Sequence, residues 1–159
     1  MTYRIAGLPH ETFAHYFTMN REDLALAGAR RVTAGADRGF PCRVSLVDAK
    51  QGESLILLNY VSHDVSGPYR TAYAIYVREA ATQSDPWTDC LPPVFAGRTL
   101  SLRGFDGQGD LLGARLTAPD EADEGIRDLF SDTRVSCIHA HNAAYGCFAA
   151  RIERHGDDA

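Results

Sequence analysis

A paired-strand signal in the second half of the chain places the strongest limit on its fold. Residues 98–106 and 110–118 read as strands, and they flank the tripeptide Gly107-Gln108-Gly109. A short glycine-rich connection between two such segments is typical of a β-hairpin. The chain therefore contains at least one antiparallel strand pair, and every other element has to be compatible with it.

Further strands and three helices are predicted around this hairpin. Aromatic, β-branched or apolar runs predict strands at residues 2–8, 29–34, 54–61 and 71–79. Helical patterns predict a helix beginning at Pro9, a second from the N-cap residue Asn20 to Gly28, and a third within residues 118–132. Residues 80–93 contain chain-breaking residues and no periodicity, which predicts a long surface loop.

This order of elements indicates the fold class. We expect an α+β fold, a mainly antiparallel β-sheet with two N-terminal helices and one late helix before a C-terminal β-hairpin. At 159 residues the chain is long enough for one core, so we expect residues 1–159 to form a single domain.

Composition excludes several classes of partner. A net charge of -5 argues against a nucleic-acid partner, because phosphate binding needs concentrated lysine and arginine. No apolar segment approaches the length of a membrane span, and the first residues lack the pattern of a signal peptide. We therefore expect a cytoplasmic protein with no nucleic-acid or membrane partner. Four cysteines without a disulfide-scaffold spacing predict free thiols.

The C-terminal residues carry the most suggestive chemistry. Residues 134–142 and 147–154 both alternate in character, and a connection bounded by Asn142 and Gly146 predicts a second β-hairpin. A helix over 143–154 is the alternative, because that segment is also rich in helix formers. On the hairpin interpretation Val135, Cys137, His139 and His141 share one face. Cys147 joins that face if it pairs with His141.

Two histidines on one strand face suggest a metal site. His139 and His141 are candidate ligands of a divalent metal such as zinc, with Cys147 as the third ligand or Cys42 from elsewhere in the chain. The alternative is structural: the histidines hydrogen-bond within a half-buried sheet, and the cysteines pack as small apolar residues.

Arginines in apolar, strand-like surroundings form a second set of candidates. Arg43, Arg70 and Arg103 can bind a small anionic ligand through paired guanidinium contacts, with Tyr69 as a hydroxyl donor. The alternative is internal ion pairing, for which carboxylates are available at Asp48, Glu79, Asp106 and Glu153.

Cys42 is a candidate nucleophile. It lies between Pro41 and Arg43, and a nearby guanidinium favours the reactive thiolate. His139 or His141 could then act as the catalytic base. No protease signature surrounds Cys42.

Four blocks of sequence carry a resemblance to a known family. In order they are "GFPCRVSL", "SGPYRTAYAIYVRE", "LSLRGFD" and "IHAHNAAYGCFAARIER". Together with the "TYRIAGL" start they resemble a family of small bacterial proteins classed as domain of unknown function 1203. The residues that match its motif are Cys42, Arg43, Tyr69, Arg70, Arg103, His139, His141, Asn142 and Cys147. The resemblance implies no activity, but it links the Cys/Arg block to the His/His/Cys block and adds Asn142 to the ligand-binding candidates.

Three functional hypotheses follow. The first is an enzyme that uses His139, His141 and a cysteine, with or without a divalent metal, on a small anionic substrate. The second is a non-catalytic module that binds a small anion through the same arginines. The third is a structural protein whose polar side chains are all paired internally.

Overall fold

The strands form two antiparallel sheets in a computed structural model that describes residues 1–156. The strands are β1 (Thr2–Ala6), β2 (Arg30–Thr33), β3 (Ser54–His63), β4 (Thr71–Arg78), β5 (Trp87–Thr88), β6 (Leu100–Phe105), β7 (Leu111–Thr117), β8 (Cys137–Asn142) and β9 (Phe148–His155). The α-helices are α1 (Ala14–Phe17), α2 (Arg21–Leu26) and α3 (Ala122–Ser131), and short 3-10 helices occupy His10–Thr12 and Pro93–Phe95.

The large sheet has the strand order β5-β1-β9-β8-β6-β7, and the small sheet has the order β2-β3-β4. The hairpin predicted around Gly107-Gln108-Gly109 is present as β6 and β7, with Leu100 opposite Thr117. The C-terminal hairpin is present as β8 and β9, so the helical alternative for residues 143–154 is wrong. The predicted α+β class, with mainly antiparallel sheets, is confirmed.

Each sheet has its own apolar core. One face of the large sheet packs against α3, which contributes Ile126, Leu129 and Phe130 at helical spacing. The small sheet packs against the N-terminal helical segment, where Phe13, the residue before α1, and Leu24 of α2 are buried. None of the helices within residues 1–156 has the length and apolar character that a membrane crossing requires.

The N-terminal helices differ in how well their patterns predicted them. Asn20 caps α2 as expected, because its side chain accepts a hydrogen bond from the Asp23 N–H at 2.9 Å. Gly28 ends that helix with φ of 71°, a left-handed conformation that glycine adopts without strain. The helix expected from Pro9 is divided into the 3-10 helix His10–Thr12 and the four-residue helix α1. Hydrogen bonds between residues i and i+3, such as the one from the Phe13 N–H to the His10 carbonyl, interrupt the α-helical pattern there.

The segment 80–93 is not entirely loop. Trp87 and Thr88 form β5, which pairs with β1 so that Ile5 lies opposite Trp87. The strand covers one edge of β1, and the Trp87 side chain packs against the apolar core of the large sheet. The prediction of a continuous surface loop is wrong at these two residues.

A close backbone crossing fixes the segment that precedes β3. A Cβ atom on Gly7 would lie 1.9 Å from the Val44 carbonyl oxygen, so only glycine fits there. The Leu8 N–H donates to the Arg43 carbonyl at 2.7 Å, and the Arg43 N–H donates to the Tyr76 carbonyl at 3.1 Å. Arg43 is thereby held between the end of β1 and β4.

Candidate ligand-binding cavity

The Arg43 side chain is the most deeply buried charge in the structure, with 2% of its surface exposed. Its Nε donates to the Phe148 carbonyl at 2.7 Å and its Nη1 donates to the Pro41 carbonyl at 2.5 Å. Its Nη2 donates to the Cys147 sulfur at 3.2 Å. These bonds use three of the five guanidinium N–H groups and leave one on each terminal nitrogen.

No carboxylate neutralises Arg43 among the residues that the structure describes. Burial lowers the pKa of the guanidinium, and the neighbouring Cys147 acts in the opposite direction. An arginine does not lose its proton in proteins, so a positive charge remains buried here.

Cys147 and Asn142 complete this polar cluster. The Cys147 sulfur accepts a second hydrogen bond from Asn142 Nδ2 at 3.4 Å. Asn142 is 8% exposed, and its Oδ1 is buried without a hydrogen-bond partner anywhere in residues 1–156. A buried amide oxygen without a partner costs about 1 to 3 kcal/mol, so Asn142 carries an unsatisfied acceptor next to Cys147.

A cavity of about 680 Å³ adjoins the cluster. Arg43, Asn142 and Cys147 form part of its wall, and the rest is largely apolar. The lining also includes Pro41, Leu57, Tyr73, Ala74, Tyr76, Arg98, Ala143, Ala144 and Tyr145. Arg98 differs from Arg43, because its Nη2 and Nη1 donate to Asp48 Oδ1 and Oδ2 at 2.7 Å and 2.9 Å.

His139 and His141 lie on one face of β8, as predicted, and both are about 1% exposed. A register shift between Ala140 and His141 places Phe148, not Cys147, opposite His141. Cys147 therefore does not share the histidine face as a cross-strand partner. Val135 also departs from the predicted face, because it precedes β8 and packs in the core on the α3 side.

Both histidines are held neutral. Burial, followed by the charges of Arg151 and His63, lowers the pKa of His139 to about 3. Burial also lowers the pKa of His141 to about 4, although a hydrogen bond to the Gly146 carbonyl opposes the shift. The His141 Nδ1 donates to that carbonyl at 2.9 Å, so its Nε2 keeps the lone pair.

Arg103 acts on the cavity through Tyr73. Its Nη1 donates to the Tyr73 hydroxyl at 3.0 Å, and it has no carboxylate partner within the described part of the chain. Burial alone would raise the pKa of Tyr73, but hydrogen bonds with Thr71 and Arg103 outweigh it and lower that pKa. The Tyr73 ring also contacts the His141 ring edge-on, with 5.0 Å between centroids.

Three further predicted site residues, like His139, His141 and Arg103, do not line the cavity. Cys42 is fully buried in the apolar core of the small sheet, and its sulfur accepts hydrogen bonds from the backbone N–H groups of Ser45 and Arg78. Arg70 pairs with Asp64 at 3.0 Å on the surface. Tyr69 is half-exposed and packs edge-on against Phe105. The nucleophilic role of Cys42 and the ligand contacts of Arg70 and Tyr69 stay predictions without a contact that supports them.

The predicted metal set has no geometric support either. Within residues 1–156, no group of three or more histidine, cysteine, aspartate or glutamate side chains is gathered so that it could hold a metal ion. His139 and His141 have ring centroids 6.4 Å apart, and His139 has no polar partner on either nitrogen among the described residues. Zinc binding by His139, His141 and Cys147 stays a prediction.

Sequence reasoning did not identify Tyr73 and Tyr145 as cavity residues. Tyr73 could have been found from the alternation in β4, because it shares a face with the buried residues Ile75 and Val77. Tyr145 lies in the turn between β8 and β9 and is 90% exposed at the cavity rim. No pattern in a single sequence distinguishes such a residue from an ordinary turn residue.

Comparison with known protein families identifies the family of the chain. A family model described as protein of unknown function (DUF1203) matches residues 39–154, which confirms the resemblance carried by the four sequence blocks. No curated protein and no solved structure matches the chain.

Proposed function

The chain belongs to the protein family of unknown function DUF1203, and from the geometry of its cavity we propose that it binds a small molecule with an apolar body and one anionic group. The anionic group, a carboxylate or a phosphate, contacts Arg43. Asn142 and Tyr73 provide neutral polar contacts beside it.

The unneutralised charge of Arg43 is the observation that carries this proposal. A buried cation is costly unless an anion and further acceptors surround it. The chain supplies Arg43 with two carbonyls and a sulfur but with no carboxylate among the described residues. Internal pairing explains Arg98, which Asp48 neutralises, but it does not explain Arg43.

The charges around Arg43 favour an anion over a cation or a neutral ligand. Arg103 adds a second guanidinium without a carboxylate, one hydrogen bond behind the Tyr73 hydroxyl. The pKa values of His139 and His141 lie far below neutrality, partly because arginines surround them. The site is therefore positive through its arginines alone.

The cavity itself limits the ligand. A volume of about 680 Å³ falls within the range of roughly 300 to 1,000 Å³ that is usual for small-molecule sites. Leu57, Ala74 and Ala143 give it apolar walls, so most of the ligand is apolar. The unpartnered Asn142 Oδ1 favours a ligand that also carries an N–H or O–H donor.

Thermal unfolding with a set of anions tests the proposal. Small carboxylates and inorganic phosphate, compared with chloride at equal ionic strength, should raise the melting temperature. A ligand at a hundred times its Kd stabilises a protein by about 2.7 kcal/mol. If no carboxylate and no phosphate stabilises the protein more than chloride does, the proposal is wrong.

Two arginine variants locate the binding site. Arg43→Gln should lower the affinity for the stabilising anion at least tenfold, because the charge-assisted contacts are lost. Arg70→Gln is the matched control, since Arg70 pairs with Asp64 on the surface, and it should bind the anion as the wild type does. Arg43→Lys keeps the charge without the planar fork and serves where the Gln variant does not fold. Equal affinity in the Arg43 and Arg70 variants would place the anion elsewhere.

A further inference from the structure

We propose that Cys147 is a nucleophile of this cavity and forms a covalent bond to an electrophilic carbon on a small, carboxylate-bearing molecule. The inference rests on the proposed function, because Arg43 holds the carboxylate while the sulfur attacks. It adds a reaction to what is otherwise a binding site.

The Cys147 sulfur accepts hydrogen bonds from two side chains that line the same cavity. Two N–H donors point at the sulfur, one from the Arg43 guanidinium at 3.2 Å and one from the Asn142 amide at 3.4 Å. Cysteine sulfur is the nucleophile in cysteine chemistry, and here it lies in contact with the guanidinium that would hold the carboxylate of the ligand. Cys147 is partly exposed and lines the cavity, so a ligand can reach it.

A second observation points to a ligand at the same place. Asn142 Oδ1 is buried without a partner, while the other end of the same amide is bound to the Cys147 sulfur. Asn142 lines the cavity together with Cys147 and Arg43, and Arg43 keeps two N–H groups without a protein partner and no carboxylate among residues 1–156. An anionic ligand that binds Arg43 is therefore held next to the Cys147 sulfur.

The other three cysteines lack this combination. Cys42 is fully buried, and its donors are backbone N–H groups. Burial raises the pKa of Cys137, which makes its thiolate less available. Cys90 is exposed, and none of its atoms takes part in a side-chain hydrogen bond within residues 1–156, so it serves as an internal control for ordinary thiol reactivity.

The reaction is a substitution at carbon. The thiol first loses its proton to bulk water. A sulfur lone pair then forms the C–S bond, the bond from carbon to the leaving group breaks, and the leaving group departs with that electron pair. The product is a thioether, and no oxidant or reductant is needed.

Competition between two alkylating agents tests the inference. Iodoacetate carries a carboxylate, and iodoacetamide is its neutral analogue; both transfer a two-carbon group and release iodide. The folded protein is treated with each agent, quenched, and analysed by peptide mass spectrometry at Cys147 and Cys90. We expect the ratio of iodoacetate rate to iodoacetamide rate to be about tenfold higher at Cys147 than at Cys90, and Arg43→Gln to remove the difference.

A protection experiment uses the wild-type protein alone and so does not depend on a folded variant. Acetate should slow the alkylation of Cys147 by iodoacetamide and leave that of Cys90 unchanged. Equal rate ratios at the two cysteines, equal effects of acetate on both, or an unlabelled Cys147 would overturn the inference. If anions stabilise the protein through Arg43 while Cys147 stays unlabelled, only the covalent step fails. If no anion stabilises it, the proposed function fails as well.

Discussion

His139 should make the stability of the protein fall steeply in mild acid. Its ring is buried among Phe105, Phe148 and His63, with centroids 5.0 Å to 5.4 Å away, and neither nitrogen has a hydrogen-bond partner among the described residues. The charges of Arg151 and Arg103 also act on it, so a proton on His139 meets like charge. The test substitution is His139→Leu, which is apolar, similar in size and does not titrate.

The sign and size of the effect follow from the pKa values. The folded pKa of His139 is about 3 and its unperturbed value is 6.5, so the unfolded chain binds the proton first as the pH falls. The contribution of the neutral His139 ring to the free energy of unfolding is therefore fully present above pH 6.5, and it is lost as the pH falls toward 3. Between pH 8 and pH 5 the loss from His139 is about 2 kcal/mol, and His141, with a folded pKa of about 4, contributes about as much again.

Urea unfolding at several pH values measures this loss. The decrease in the free energy of unfolding from pH 8 to pH 5 should be about 2 kcal/mol smaller in His139→Leu than in the wild type. At pH 8 the variant should be at least as stable as the wild type, because two unpartnered nitrogens leave the interior. His155→Gln, at an exposed position, is the control and should follow the wild-type curve. Parallel curves for wild type and His139→Leu would refute the reasoning.

Two further predictions concern the segment that carries Arg43. Asp48→Asn should lower the free energy of unfolding in urea by about 3 kcal/mol, because it leaves the Arg98 guanidinium, 15% exposed, without its carboxylate. The double variant with Arg98→Met should recover part of that loss. Additive losses from the two substitutions would contradict the pairing. Gly7→Ala should cost more than about 4 kcal/mol or prevent folding, because its Cβ would overlap the Val44 carbonyl. Gly35→Ala has open space within 4 Å and should change stability by less than about 1 kcal/mol; equal effects at the two glycines would disprove the crossing.

Elements defined by local pattern could be predicted from the sequence. The glycine-rich turn at residues 107–109 predicted the β6/β7 hairpin, and Asn20 with its following acids predicted the start of α2. These signals depend on neighbouring residues, so a single sequence contains them. β5 was missed because two residues have no measurable period, and their strand character comes from pairing with β1.

Contacts between distant segments could be predicted only in part. The alternation of β8 correctly placed His139 and His141 on one face. The same alternation did not reveal which side chains would meet them, since Tyr73 and Phe148 arrive from other strands. The hydrogen bond from Arg43 to the Cys147 sulfur joins residues 104 positions apart, and no periodic pattern in the sequence predicts such a contact.

The register shift at Ala140 and His141 explains why the histidines and the cysteine belong to different clusters. With regular pairing Cys147 would have joined the histidine face and competed for the space between the sheets. The shift gives that place to Phe148, whose ring contacts both His139 and His141. Cys147 and Asn142 are each one residue out of phase with Phe148 and His141, and their side chains bind each other and Arg43. The neutral imidazoles are thus enclosed between the sheets, while the thiol and the buried positive charge border the cavity for which we propose an anionic ligand.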